Sequence, residues 1–366
     1  MAIVNLLQSY IANKSALLSE FNTSNAIGST NLRWTAATWN TFVATRTAAQ
    51  NIYNDVGASQ IQVDAARNAL YNARIGLIVQ SIDLSFTGSW SYNKIGTRMG
   101  YAVIFSSGTL TLDKQSISFD VWVVGGGGGA GHGSVYSGAA GGAGGGYNSL
   151  ALAQTLAAGS YSVSIGGGGA PATANFDTRS GNDWGGWGGT SSFIGPSISL
   201  SAGGGSPSQS PQWYTNGTVG GYGGSGGGGG GPSGFSPGCG GASGVNGGNG
   251  GTSDYQSGCG YNAVGRVGGG AGNGINQTPF RENQVFAGYA ANDYFGTGGV
   301  GGRSWNESDG NNAARAYKWA GVANVRQAAA NSGAGGGGGQ PEGDYSGGDK
   351  WGTAGGSGIV MLRWRD

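Results

Sequence analysis

The chain has 366 residues and is dominated by glycine: 83 glycines stand against 18 Lys and Arg, 17 Asp and Glu and one His, for a formal net charge of +1. Charge this sparse and balanced argues against nucleic acid as a partner. No apolar run approaches the roughly 20 residues of a membrane-spanning helix, and the N-terminus lacks the basic region of a signal peptide. The length predicts about two domains.

Residues 1–80 contain few glycines and show the three-to-four residue spacing of amphipathic helices. A first helix is predicted over 3–22, with its apolar side formed by Ile3, Leu6, Leu7, Tyr10, Leu17, Leu18 and Phe21. A second begins at Thr35, a suitable N-cap, and its apolar side holds Trp39, Phe42, Val43, Ala49, Ile52 and Val56. A third begins with the capping-box pattern of Ser59 and Gln62 and repeats Val63, Ala66, Leu70, Ala73 and Leu77. We therefore predict a three-helix bundle over residues 1–80.

Two short motifs within these helices resemble a known module. Trp34-Thr35-Ala36-Ala37-Thr38-Trp39 and the later Val63-Asp64-Ala65-Ala66 are similar to the FIVAR-type three-helix module of bacterial surface proteins. The resemblance covers about residues 2–78. It implies a FIVAR-like docking or spacer unit and says little about a ligand.

After residue 81 the hydrophobic period changes to two, which predicts strands. Ile117, Phe119, Val121 and Val123 alternate with their neighbours just before Gly125, and Tyr161, Val163 and Ile165 alternate before the run that begins at Gly166. Further strands are predicted over 193–200 and 359–364. Strands that enter and leave glycine runs predict an all-β sandwich, jelly-roll-like, over residues 81–366, with the glycine runs inserted in its loops.

Of the 83 glycines, only seven precede Gly125. A flexible Gly/Ser linker is one interpretation, but large aromatic residues interrupt the runs, which a linker does not need. The alternative is order without side chains, as in polyproline II helices, whose N–H and C=O groups point outward and need partners. We therefore predict a lattice of polyproline-II-type glycine helices, in which inner helices are nearly pure glycine.

The segments that join strands to glycine also resemble a family. Val121-Trp122-Val123-Val124 before its glycine run, Leu156 to Gly169, and Gly355 to Trp364 are similar to the glycine-rich domain of bacteriophage tail-fibre proteins, over about residues 84–366. The glycine-rich ectodomain of anaplastic lymphoma kinase has the same plan. In distal adhesins of some T-even-type phages, glycine helices present loops to host receptors. The resemblance implies a polyglycine II lattice and host recognition, although those adhesins lack the helical module.

Little in the sequence points to catalysis. The one histidine, His132, is flanked by glycines and is predicted to be an exposed loop residue, so a hydrolytic triad has no base. Two cysteines and this histidine cannot supply a zinc site, and we predict no metal, no cofactor and no enzyme activity. Paired carboxylates for glycan cleavage stay an alternative, offered by the loop residues Asp177, Asp183, Asp293, Glu307, Asp309 and Glu342.

Aromatic residues and arginines in the long insertions are the candidate receptor contacts, because such side chains anchor recognition surfaces. They are Trp184, Trp187, Trp213, Tyr214, Tyr294, Phe295, Trp305, Arg315, Tyr317 and Trp319. The alternative is that they shield the lattice edge from water. Cys239 and Cys259 lie in glycine runs, where a disulfide and two free thiols are both open.

These observations favour a bacteriophage tail-fibre or tail-tip adhesin that binds a host cell-surface receptor, a glycan or a surface protein. Its helical bundle would contact other virion proteins, and a homotrimer is an open possibility because phage fibres are commonly trimeric. The absence of a signal peptide and of a membrane anchor is consistent with a virion protein released by lysis. Two alternatives stand beside it: a virion structural or decoration fibre without a receptor, and a glycan depolymerase.

Overall fold

A computed structural model describes residues 12–28, 33–132, 143–173, 184–208, 220–224, 296, 328, 330–338 and 352–365. The predicted start of the first helix, over 3–11, lies outside them. Three helices occur at the N-terminal side of this part of the chain: α1 (Ser15–Asn25), α2 (Ala36–Asn54) and α3 (Gln60–Ile75). The predicted order of a helical region followed by a β-rich region is confirmed.

The helices pack through the faces that the sequence predicts. Their common core contains Leu17, Phe21, Trp39, Phe42, Ala49, Val63 and Leu70, all buried. The prediction that Leu18, Val43 and Val56 lie on the buried faces of the helices is wrong, because all three are exposed. Val56 is 96% exposed because it follows the end of α2, where the helical period no longer directs it inward.

The two predicted N-caps differ in how they cap. Ser59 forms a complete capping box: its Oγ accepts from the Gln62 amide at 3.4 Å, and its own amide donates to Gln62 Oε1 at 2.8 Å. Thr35 occupies the N-cap of α2, but its side chain makes no capping hydrogen bond to the backbone. An ion pair joins α3 to α1: Arg74 Nε lies 2.5 Å from Glu20 Oε1. This contact raises the pKa of Arg74.

Among the described residues, ten strands follow the helices: β1 (Leu84–Phe86), β2 (Trp90–Gly96), β3 (Met99–Ile104), β4 (Gly108–Leu112), β5 (Ser116–Val124), β6 (Asn148–Leu156), β7 (Gly159–Ser164), β8 (Ser191–Gly195), β9 (Ile198–Ala202) and β10 (Ile359–Arg365). They form two antiparallel five-stranded sheets, in the orders β1-β4-β7-β8-β9 and β2-β3-β10-β5-β6. The strands predicted around 117–124, 161–165, 193–200 and 359–364 all occur, the third as the hairpin of β8 and β9.

The two sheets share one hydrophobic core. Phe119 and Val121 of β5 and Leu362 of β10 lie in the same buried cluster as Tyr161 of β7 and Phe193 of β8. Aromatic rings continue across this core, because Trp364 stacks on Phe119 at a centroid distance of 5.6 Å and on Tyr92 at 5.7 Å. The buried side chains therefore hold the sheets face to face.

The opposite face of β5 and β10 is buried as well. Trp122 and Val124 lie there with Ile359 and Met361 in a second buried cluster. Because β5 is buried on both faces, apolar residues occupy both sets of alternating positions from Val121 to Val124, and the period of two is lost there.

A buried ion pair sits between β5 and β10. Arg363 stands opposite Asp120 in the register and donates to Asp120 Oδ2 from Nε at 2.9 Å and from Nη2 at 2.6 Å. The other carboxylate oxygen accepts from the amide of Ala153 at 2.8 Å, a residue with φ of +50° at an irregular part of the β5–β6 register. Both oxygens of Asp120 thus have partners, as a buried carboxylate requires.

Candidate functional site

Glycine-rich stretches leave the two sheets at the same end. In one sheet Val124, the last residue of β5, pairs with the first residues of β6 and β10. In the other, the end of β7 and the end of β9 pair with the beginning of β8. Hydrogen bonds join the residues beyond both sheets. We call the following stretches the glycine segments: 125–132, 143–147, 166–173, 184–190, 202–208, 220–224, 330–338 and 352–358.

Segment 125–132 donates to three neighbours with a period of three residues. To segment 143–147, the Gly125 amide donates to the Tyr147 carbonyl and the Gly128 amide to the Gly144 carbonyl. To segment 184–190, Gly126 donates to Gly189 and Gly129 to Gly186. To segment 352–358, Gly127 donates to Gly356 and Ala130 to Thr353. Along each pair the acceptor number falls as the donor number rises. The three neighbours therefore run antiparallel to segment 125–132.

The carbonyls of the same segment accept from three other segments. From segment 202–208, Gly205 donates to the Gly126 carbonyl and Ser208 to that of Gly129. From segment 166–173, Gly169 donates to Gly127 and Ala172 to Ala130. From segment 330–338, Gly336 donates to Gly128. Segment 125–132 thus has six hydrogen-bonded neighbours, and all of its residues are buried. Its backbone is enclosed by other backbone, and each polar group from Gly126 to Gly129 finds a partner.

The close approach of these backbones explains the glycine. A Cβ atom added to Gly127 would lie 1.9 Å from the carbonyl oxygen of Ala334, and one added to Gly168 would lie 1.8 Å from that of Gly355. Neither residue has a positive φ. Glycine is therefore required here because it lacks a side chain. Gly167 is an exception, since an added Cβ would meet no atom within 4 Å.

Hydroxyl side chains complete the bonding at several places that the sequence analysis does not single out. Ser208 Oγ accepts from the Gly131 amide at 3.1 Å, and Ser191 Oγ accepts from the Gly166 amide at 3.0 Å. Thr353 Oγ1 accepts from the amide of Gly337 at 2.7 Å. A serine or threonine at the end of a glycine run is the sequence feature that could have predicted these hydrogen bonds.

Two of the predicted receptor-contact residues lie on one face of segment 184–190. Gly185 and Gly188 donate to segment 202–208, while Gly186 and Gly189 donate to segment 166–173. The remaining position of the three-residue period holds Trp184 and Trp187, which are 53% and 72% exposed, followed by the exposed Thr190. The period directs these three residues outward, and we call them the tryptophan ridge.

Tyr222 is a further exposed aromatic residue on the glycine segments. It lies on segment 220–224, and its backbone is held by Ser206, whose amide donates to the Tyr222 carbonyl at 2.7 Å. The remaining predicted residues lie outside the described part of the chain: Trp213, Tyr214, Tyr294, Phe295, Trp305, Arg315, Tyr317, Trp319, Cys239, Cys259 and the six loop carboxylates.

The prediction for His132 is wrong. Its side chain is only 8% exposed, because it ends the enclosed segment 125–132. Within the described ranges, no group of three His, Cys, Asp or Glu residues is placed to hold a metal ion. None of the described helices has the length and apolarity needed to cross a membrane.

The same region carries the match to a known family. The sequence profile of the family described as "Glycine-rich domain" matches residues 105–365, from the end of β3 to the end of β10. The chain belongs to this family. A search of curated proteins finds no significant match. The glycine-rich domain thus includes seven of the ten strands and all eight glycine segments, while the helices and β1 to β3 precede it.

Proposed function

We propose that the glycine segments are polyproline-II-type helices packed as a lattice. Such a helix has three residues per turn, so its N–H groups point in three directions. The three-residue period of hydrogen bonds along 125–132 and 184–190 supports this interpretation. The sheets fit a jelly-roll-like sandwich, since the connections β3–β4, β4–β5 and β6–β7 each pass from one sheet to the other.

We further propose that the chain is a bacteriophage tail-fibre or tail-tip adhesin that binds a receptor on the host surface. The observation that carries the proposal is the tryptophan ridge, two large apolar side chains exposed on a segment whose neighbouring residues are fixed by hydrogen bonds. Exposed apolar patches on a soluble protein mark interaction sites. Residues held in advance lose less entropy when they bind.

In this proposal the helical region has a separate role. It resembles the FIVAR-like spacer and would contact other virion proteins, and the chain would act as a virion component without enzyme activity. A homotrimer is one arrangement in which several copies would present their ridges together, which would raise avidity.

The alternative function is a virion structural or decoration fibre without a receptor. The enclosure of segment 125–132 by six neighbours favours it, because such bonding gives a rigid body whether or not a ligand exists. The second alternative, a depolymerase, depends on loop carboxylates outside the described residues.

Flow cytometry of fluorescently labelled protein on a panel of bacterial strains tests the adhesin. We expect labelling of a subset of strains, saturable and displaced by unlabelled protein. Labelling of no strain, together with normal incorporation of the protein into virions, would favour the structural fibre. Release of reducing sugar from the labelled cells would instead indicate the depolymerase.

A further inference from the structure

The described residues of the face that carries the tryptophan ridge are two indoles and the side chain of Thr190, with glycine backbone between them. Trp184 and Trp187 are separated by Gly185 and Gly186, and two more glycines follow before Thr190. Segment 166–173 lies alongside, with Gly189 donating to Gly167 at 2.7 Å. Gly167 is exposed, and no atom lies within 4 Å of its absent Cβ. The described surface beside the indoles is therefore formed mainly by glycine backbone.

The described residues of this face carry no charged side chain. Segments 125–132, 166–173, 184–190 and 202–208 contain no Asp, Glu, Lys or Arg. An acidic or basic ligand would find no ion-pair partner among these residues. The face suits a neutral ligand that combines flat apolar surfaces with hydroxyl groups.

The spacing of the two indoles along the segment can be compared with the spacing of sugar rings in a glycan. In a polyproline-II-type helix, residues three apart are separated by about 9 Å along the axis, a distance comparable to the repeat of two rings in an extended glycan. The amide of Trp187 makes no hydrogen bond to the described part of the chain.

We infer that the tryptophan ridge binds a neutral polysaccharide, with sugar rings stacked on Trp184 and Trp187 and hydroxyl groups bonded to backbone between them. The inference rests on the proposed adhesin function and deepens it, because it names the receptor class and places the contact on the side of the lattice. An aromatic face offers a large apolar area with little conformational entropy to lose. Both rings take part, so an oligosaccharide binds much more tightly than its monosaccharide.

Calorimetric titration of the full chain tests the ridge. The probes are soluble neutral polysaccharides (mannan, galactomannan, dextran and a glucan), their oligosaccharides, and the acidic polysaccharide alginate. We expect at least one neutral polysaccharide to bind, with an affinity that salt leaves unchanged, because no screened charge is involved. Trp184→Ala and Trp187→Ala each lower the affinity about tenfold or more, and Trp187→Phe restores part of it.

Tyr222→Ala is the matched control, because it removes an exposed aromatic residue from a different segment and should leave the affinity unchanged. Far-UV circular dichroism of each variant identifies any loss of fold. Binding that both tryptophan variants retain, preference for alginate, or no binding to any neutral polysaccharide would overturn the inference.

Cell labelling separates this inference from the proposal on which it rests. If the double variant Trp184→Ala/Trp187→Ala still labels bacteria, the adhesin stands and the ridge is not its receptor site. If the unaltered chain labels no strain, the adhesin fails, and the titration alone decides whether the ridge binds glycan.

Discussion

Gly127 lies in a segment with six hydrogen-bonded neighbours, where an added methyl group would have no room. The Cβ of Gly127→Ala would stand 1.9 Å from the Ala334 carbonyl oxygen, and backbone cannot rotate away as a side chain can. Overpacking in a well-packed core is destabilising by about 1–3 kcal/mol, occasionally more. We expect a loss of about 3 kcal/mol in the free energy of unfolding, measured by denaturant titration.

Gly167→Ala is the control for this variant. It adds the same methyl group in open space, so it should be neutral or stabilise the protein by about 0.4–1 kcal/mol through the unfolded chain. Equal stability of the two variants would contradict the close packing of segment 125–132.

The buried pair of Asp120 and Arg363 makes a second prediction at the residue scale. Asp120→Ala would leave the Arg363 charge in the sheet interior without its partner, which destabilises by about 3–5 kcal/mol. Arg365 lies 4.0 Å from the same carboxylate but is exposed, so Arg365→Ala should change stability by less than about 1 kcal/mol. Thermal unfolding of both variants measures the difference.

Tyr161 links stability to alkaline pH. Burial in the core raises its pKa, and its hydroxyl donates to the Ala157 carbonyl at 2.7 Å. Because the folded pKa lies above the unfolded value of about 10, the contribution of the hydroxyl is complete below that pH. It is lost as pH rises through the folded pKa. The stability advantage of the unaltered chain over Tyr161→Phe should shrink above about pH 10, as measured by urea unfolding at each pH. An advantage that stays constant would contradict this.

At the scale of the element, the helices offer a comparison of two caps. Ser59→Ala removes both bonds that the hydroxyl makes with Gln62 and should destabilise α3 by about 1 kcal/mol. Thr35→Ala should have a smaller effect on α2, since Thr35 makes no capping bond to the backbone. Helix content and midpoint of thermal unfolding report both changes, and a larger loss from Thr35→Ala would refute the assignment.

Some elements were predictable from sequence and others were not, for reasons visible in particular residues. In β7, Tyr161 and Val163 face the core while Ser162 and Ser164 face outward, so the pattern alternates. In β6, Leu150 and Leu152 are not buried, and this strand is positioned by its pairing with β5 instead. Pairing between distant segments leaves no local periodic signal.

The same distinction applies to the candidate site. The sequence shows that aromatic residues interrupt the glycine runs but leaves open whether they are exposed. The interval of three between Trp184 and Trp187 is the signal that places these two on one face. The segments that lie next to them are fixed by backbone hydrogen bonds between glycines far apart in the chain. Because the glycine runs are nearly identical, their sequences do not show which run pairs with which. His132 shows the limit, because its flanking glycines suggest a loop but its segment lies at the centre.

At the scale of the whole molecule, the enclosed backbone predicts slow amide exchange. The amides from Gly125 to Ala130 are all hydrogen-bonded and buried. Amide hydrogen exchange by mass spectrometry should therefore show them protected about as well as the core strand β10, opening only with global unfolding. Exchange at the rate of an exposed loop would restore the linker interpretation.

The position of β10 has a consequence for how the protein is made. β10 lies between β3 and β5 in its sheet, yet all the glycine segments separate it from β5 along the chain. The sheet therefore stays open at its centre until residue 365 has left the ribosome, and folding depends on contacts far apart in sequence, which slows it. A chain cut short before residue 359 would lack the strand that joins the two halves of this sheet, so it could not form the closed sheet.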